Sequence, residues 1–174
     1  GTRPRGADPE SDARQRADLT GSLKERAELV MITDLERNDL GKVCEFGSVR
    51  VSGLLELEPY AQVFHLVSTV EGRLRAGVDA VEAVRACFPG GSVTGTPKKR
   101  AMEVIAELER RQRGLYTGAI GWFGYDGSAQ FSIAIRTLVE EAGVLSFDVG
   151  SGIVTDSDPG AEWEETLHKA AGIL

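Results

Sequence analysis

The chain has 174 residues, with 20 Lys and Arg against 27 Asp and Glu and a net charge of -7. That length fits one domain able to bury about 70% of its unfolded surface, and the acidic balance argues against a general nucleic-acid binder. No apolar run approaches the roughly 18 residues that cross a bilayer, and the opening residues carry no secretory pattern. The only cysteines, Cys44 and Cys87, have no CxxC spacing, so a reduced, cytoplasmic protein with free thiols is expected. Gly1-Thr2-Arg3-Pro4-Arg5-Gly6 reads as mid-loop, the expectation for a piece of a longer protein.

Asp8-Pro9 offers a cap followed by proline at the first helical position. The spacing of Leu19, Leu23, Ala27 and Val30 predicts one or two helices to about Glu36, with a break or bend at Gly21 and a stop in Asn38-Asp39-Leu40-Gly41. Residues 43–57 predict a hairpin turning at Phe46-Gly47-Ser48, and His65–Val70 a further strand. Asp79 caps a short helix to Cys87, with Val81 and Val84 inward. The glycine-rich run Pro89–Gly95 precedes a helix starting at Thr96-Pro97 that buries Met102, Val104, Ile105 and Leu108. Strands are expected over Tyr116–Tyr125, Ala129–Val139 and Val144–Val149, the first two joined at Asp126-Gly127, and Asp158-Pro159 starts a last helix over 159–172. Helices and antiparallel hairpins in mixed order make the class α+β.

Two glutamate pairs carry potential chemistry. Glu25 and Glu28, and Glu162 and Glu165, sit three residues apart, each pair on one helix face. Either they are solvated faces, or they converge on a cation, for which oxygen-only ligands favour Mg²⁺, Mn²⁺ or Ca²⁺ over zinc. Glu165-Thr166-Leu167-His168 also matches the ExxH element of di-metal helix bundles, although a chain with so many hairpins suits such a bundle poorly. Lys169 shares the face of Glu162 and Glu165, as a helix salt bridge or as a cation facing an anionic ligand. The glycine-rich loop is a tight turn or an anion cradle at a helix start, and it lacks the GK[ST] of a Walker loop. Gly150 and Gly152 allow close ligand approach or mark a bulge. Arg136, in an apolar strand, stands at an exposed edge or on a carboxylate. His65 opens an apolar strand as a core histidine or a catalyst, and Trp122, Phe123 and Trp163 read as packing residues.

Taken in order, the runs Gly1–Gly6, Ala27–Gly41, His65–Ser68, Phe88–Lys98, Tyr116–Gly121, Ile135–Thr137, Gly150–Val154 and Glu162–Lys169 resemble the C-terminal part of the chorismate-utilising enzymes across nearly the whole chain. The Pro-Gly-Gly-Ser-Val-Thr-Gly loop and the Tyr-Thr-Gly-Ala-Ile-Gly-Trp strand resemble component I of aminodeoxychorismate synthase, where anthranilate synthase component I more often has Pro-Ala-Gly-Thr and Tyr-Gly-Gly-Ala.

The resemblance implies the anthranilate-synthase-like chorismate-binding fold, in which antiparallel sheets pack face to face with helices outside. Residues 1–174 would be its C-terminal part, with the N-terminal part absent from this chain. It implies Mg²⁺-dependent amination of chorismate at C4 to 4-amino-4-deoxychorismate, for 4-aminobenzoate and folate, with ammonia from a glutamine amidotransferase partner. By position Glu28 and Glu165 would be direct Mg²⁺ ligands, with Glu25 and Glu162 close by. Tyr116 and Arg136 would bind the enolpyruvyl carboxylate, Gly150 and Gly152 would offer backbone contacts, and Ser92 and Thr2 hydroxyls. Lys169 would lie beside the metal-bound carboxylate, and His65 near the departing C4 hydroxyl as general acid. His168 stands where the family commonly has Asn and takes no role. The lysine that aminodeoxychorismate synthases commonly carry just before the Gly-Thr of the first motif falls outside the sequence. The alternatives are anthranilate synthase component I, aminating C2, and, from another class, a carboxylate di-metal helical protein or a non-catalytic fragment. Alone, the chain is expected to be inactive and poorly stable or self-associating.

Overall fold

The computed structural model describes residues 1–155 and 157–173. The chain divides into two units, Gly1–Cys87 and Phe88–Leu174. Among the described residues no helix is long and apolar enough to cross a membrane.

In the first unit, strand β1 (Thr2–Pro4) is followed by helices α1 (Pro9–Gly21) and α2 (Leu23–Gly41), strands β2 (Arg50–Pro59) and β3 (Val63–Glu71), and helix α3 (Ala80–Cys87). Asp8 caps α1 by accepting from the Glu10 and Ser11 amides, and the Ser11 hydroxyl returns the bond to the cap. The helical stretch breaks at Ser22, which caps α2 by accepting from the Glu25 amide. Antiparallel pairing orders the sheet β1-β3-β2. Its core is Leu19, Phe64 and Leu66, flanked by Leu29, Leu55 and Leu57. Two expectations fail here. Phe46-Gly47-Ser48 does turn, with Ser48 donating to the Glu45 carbonyl, but β2 pairs with β3 and not with residues 43–46. Of the predicted stripe only Leu19 is buried: Leu23, Ala27 and Val30 are exposed, because the break at Ser22 takes α2 off the α1 stripe, and Val81 on α3 is exposed as well.

The second unit opens with a 3₁₀ turn at Gly91–Val93 and helix α4 (Lys98–Leu108). The hairpin β4 (Ala119–Phe123) and β5 (Ala129–Ile133) turns at Asp126-Gly127, where Gly127 has φ +85°. A second hairpin, β6 (Val139–Glu141) and β7 (Val144–Ser146), precedes helix α5 (Pro159–Ala171), which Asp158 caps through the Ala161 amide. The expected strand over Ala129–Val139 is therefore two strands. Between them Ile135 donates to the Ile133 carbonyl and Arg136 takes φ +50°, which ends the ladder. The flanking strands are shorter than expected, since Tyr116–Gly118 forms a turn and pairing stops at Ser146. Trp122, Phe123 and Trp163, expected to pack inside, are 52%, 50% and 61% exposed, and Met102 and Leu108 on α4 also face solvent. The two-stranded β4–β5 ladder is exposed along its length except at half-buried Phe131.

The α+β class is as the sequence predicts.

Candidate active site

The first unit gathers the β1 and β3 candidates through strand register. Thr2 lies opposite His65, and Thr2 Oγ1 is 3.0 Å from His65 Nδ1. Tyr60 meets the imidazole edge-on with ring centres 5.4 Å apart, so the half-buried ring is held on two sides. On α2, Glu25 Oε1 accepts from Arg3 Nη1 at 3.0 Å, while Arg3 Nε donates to Asp18 at 2.6 Å. Arg3 Nη1 also donates to the Thr2 carbonyl, so one guanidinium ties the Thr2 segment to both helices. Glu28 is half-buried, one turn along from Glu25.

The second unit assembles Tyr116, Gly150, Lys169, Glu162 and Glu165. A β-carbon on Gly150 would lie 2.7 Å from the Tyr116 hydroxyl, so the glycine is what lets the phenol seat against that backbone. Lys169 Nζ donates to the Gly150 carbonyl at 3.2 Å and pairs with Glu165 Oε1 at 2.8 Å. Burial raises the Glu165 pKa, but the Lys169 ammonium and the Ser151 hydroxyl outweigh this and the nearby Glu162 charge, holding the carboxyl below its usual range. Glu162 is buried and accepts hydrogen bonds from the Ser151 hydroxyl and from the Ser157 hydroxyl at 2.7 Å.

Arg136 is exposed, and its positive φ is a cost that only the surrounding chain maintains. Of the two sequence readings for Arg136, exposure is the one realised. Thr117, next to Tyr116, is strained likewise at φ +63° and is held by its amide bond to the Ala134 carbonyl at 2.9 Å. Ser92 sits exposed in the 3₁₀ turn and Gly152 is also exposed. Gly90 seats against β5, where a β-carbon would come 2.9 Å from Ile133 Cδ1. A cleft of about 610 Å³ is lined by residues that include Phe88, Met102, Ile105, Arg113 and Tyr116.

The donor set bears on a metal. Among the described residues no group of three or more His, Cys, Asp or Glu gathers to hold an ion. Within each pair the first glutamate is engaged by the chain's own donors, Glu25 by Arg3 and Glu162 by two serines. The second is Glu28 in one pair and, in the other, Glu165, which pairs with Lys169 and is bonded by the Ser151 hydroxyl. An all-oxygen donor set is of the kind that suits a hard cation.

Arg3, Arg113, Ser151 and Ser157 were not picked out by the sequence reading. Arg113 belongs to the run Arg110-Arg111-Gln112-Arg113, which reads as a solvated charge cluster. A signal was present all the same: Glu109 lies four residues before Arg113, the favourable order for a helix-type pair.

Comparison with known proteins covers the whole chain. The sequence profile described as chorismate binding enzyme matches residues 1–174. Anthranilate synthase component 1 of Haloarcula marismortui is 54% identical over 174 residues, covering 100% of this chain and 36% of that protein. Aminodeoxychorismate synthase component 1 of Bacillus subtilis is 51% identical over 170 residues, covering 98% of this chain and 36% of that protein. Among solved structures, anthranilate synthase component I from Streptococcus pneumoniae superposes with a TM-score of 0.84 at 42% identity, over 94% of this chain and 38% of that one. The chain thus spans between a third and two-fifths of the length of these relatives. A profile match from end to end, with close relatives of both synthase types, means that the chain belongs to the family of chorismate binding enzymes.

Proposed function

We propose that the protein to which this chain belongs replaces the C4 hydroxyl of chorismate by ammonia, giving 4-amino-4-deoxychorismate and water. The observation that carries the C4 reading is the Pro89–Gly95 loop, which has Gly90 where the C2-aminating relatives more often carry alanine; a β-carbon there would meet only the end of the Ile133 side chain closely, at 2.9 Å. Overall identity favours neither position, since relatives named anthranilate synthase component 1 and aminodeoxychorismate synthase both reach 54%.

In this reading Glu28 and Glu165 would be the ligands of Mg²⁺, with Glu25 and Glu162 as their neighbours on each helix. When bound, the ion supplies positive charge to the ring carboxylate of a dianionic substrate. Arg136 and Tyr116 take the enolpyruvyl carboxylate, a task for which an exposed guanidinium is suited. Lys169 neutralises charge beside the ring carboxylate, and Ser92, Gly150 and Gly152 offer hydroxyl and backbone contacts. His65, as imidazolium, gives a proton to the leaving C4 hydroxyl, which departs as water. Its Nδ1–H is then donated to Thr2 Oγ1, the 3.0 Å contact that orients the ring. The C4–N bond forms to ammonia, and the proton shed by the new ammonium restores the imidazolium. A glutamine amidotransferase partner releases the ammonia.

The test is product identity. The full-length parent is incubated with chorismate, Mg²⁺ and ammonium. 4-Aminobenzoate appearing only after a lyase is added supports C4 amination. Anthranilate formed directly overturns it in favour of C2.

A further inference from the structure

Tyr116 is a candidate carboxylate ligand, yet it stands in a turn, outside any strand, beside a strained threonine. Something other than a β-ladder must fix it. Arg113 is placed to do so. Its Nε and Nη2 donate to the two carboxylate oxygens of Glu109 at 2.8 and 2.6 Å, a two-pronged pair that locks the guanidinium plane just past the end of α4. From that plane Nη1 donates to the Val93 carbonyl at 3.0 Å and to Thr117 Oγ1 at 3.3 Å. The same guanidinium lies over the Tyr116 ring, 5.9 Å from its centre.

Arg113 therefore connects three things that no local pattern joins. Val93 follows Ser92 in the glycine-rich loop, Thr117 follows Tyr116, and Glu109 anchors the whole to α4. We infer that Arg113 is a positioning residue: its guanidinium sets the Tyr116 ring and the Ser92 loop together, and so shapes the substrate-carboxylate corner without touching the substrate. This rests on the proposal that Tyr116 and Ser92 meet chorismate. Lysine cannot take over, since a single ammonium cannot grip Glu109 with two prongs and reach the Val93 carbonyl in one fixed plane.

The experiment uses the full-length parent and steady-state kinetics with chorismate as the varied substrate. Arg113→Lys and Arg113→Met are each predicted to raise KM about tenfold while kcat falls by less than about threefold, as expected for a loss of shared binding contacts. Arg113→Lys retains charge, so its failure to rescue separates geometry from electrostatics. Tyr116→Phe and Arg113→Met together are predicted to cost less than the sum of the single effects. Should Arg113→Met fail to fold, Glu109→Gln, which leaves the arginine but removes one charged prong, is predicted to raise KM in the same direction. A KM for Arg113→Lys equal to wild type, or strict additivity with Tyr116→Phe, overturns the inference. If Tyr116→Phe and Arg136→Gln also leave KM and kcat unchanged, the substrate reading itself has failed. If those two variants are impaired and Arg113→Lys is not, the role of Arg113 alone has failed.

Discussion

Replacing Gly150 by alanine adds one methyl group where the Tyr116 hydroxyl already lies, at a β-carbon to oxygen distance of 2.7 Å. An ordinary contact begins near 3.4 Å, so the phenol or the Gly150 backbone must move by about 0.7 Å. The backbone resists, because its carbonyl takes the Lys169 bond at 3.2 Å, and the ring resists, because Arg113 lies over it. Overpacking of this size costs about 1–3 kcal/mol, and a displacement approaching 1 Å in a substrate-positioning group costs up to about 100-fold in rate. The expected result for the full-length parent is a fall in kcat/KM of about 10- to 100-fold with the fold retained. Combining Gly150→Ala with Tyr116→Phe tests the cause, since removal of the hydroxyl removes the clash. In that background Gly150→Ala should cost less than about threefold. A folded Gly150→Ala enzyme with unchanged kcat/KM, or the same penalty with and without the hydroxyl, would refute the reasoning.

The other predictions follow from the same geometry. Glu28→Gln and Glu165→Gln should each weaken Mn²⁺ binding, measured by the loss of free-ion spin resonance signal, by at least tenfold, whereas Glu25→Gln should weaken it less because Arg3 already holds that side chain. Glu165 has a folded pKa below the 4.5 of the free group, so its contribution to stability is present above pH 4.5 and is lost as pH falls through the folded value. Glu165→Gln should accordingly flatten the acid side of the thermal midpoint against pH curve. Leu19 is completely buried, and Leu19→Ala should cost about 2–5 kcal/mol in denaturant unfolding of the parent; a shift under about 0.5 kcal/mol would show that the helix does not rely on it.

Local chemistry was legible in the sequence, and long-range pairing was not. Asp8, Asp79 and Asp158 each precede a helix and each accepts from an amide of its first turn, as their side chains allow. Asp126-Gly127 turns a hairpin for an equally local reason. The partner of β2 could not be found that way, since nothing in residues 43–57 distinguishes a ladder to 43–46 from one to 63–71. Arg136 broke a continuous apolar run because backbone conformation overrode periodicity. In the site, the glutamate spacing was visible, whereas the partners in the first unit come from far away in sequence. Arg3 reaches Glu25 across 22 residues and Thr2 meets His65 across 63.

Helix α1 has one buried residue, Leu19, and charged side chains tie it to β1 and the residue after it: Arg3 grips Asp18 and Arg5 grips Asp12. It is moored by ionic ropes to a single apolar anchor. Attraction between such exposed groups fades as the screening length shrinks from about 10 Å at 0.1 M salt to about 3 Å at 1 M, while burial of Leu19 does not weaken. In concentrated salt the first turns of α1 should therefore swing loose while its last turn stays docked, and the amides of Asp12–Arg16 would exchange with solvent well before those around Leu19. Since Arg3 also holds Glu25, ionic strength becomes a remote control on one of the acidic groups of the proposed metal site.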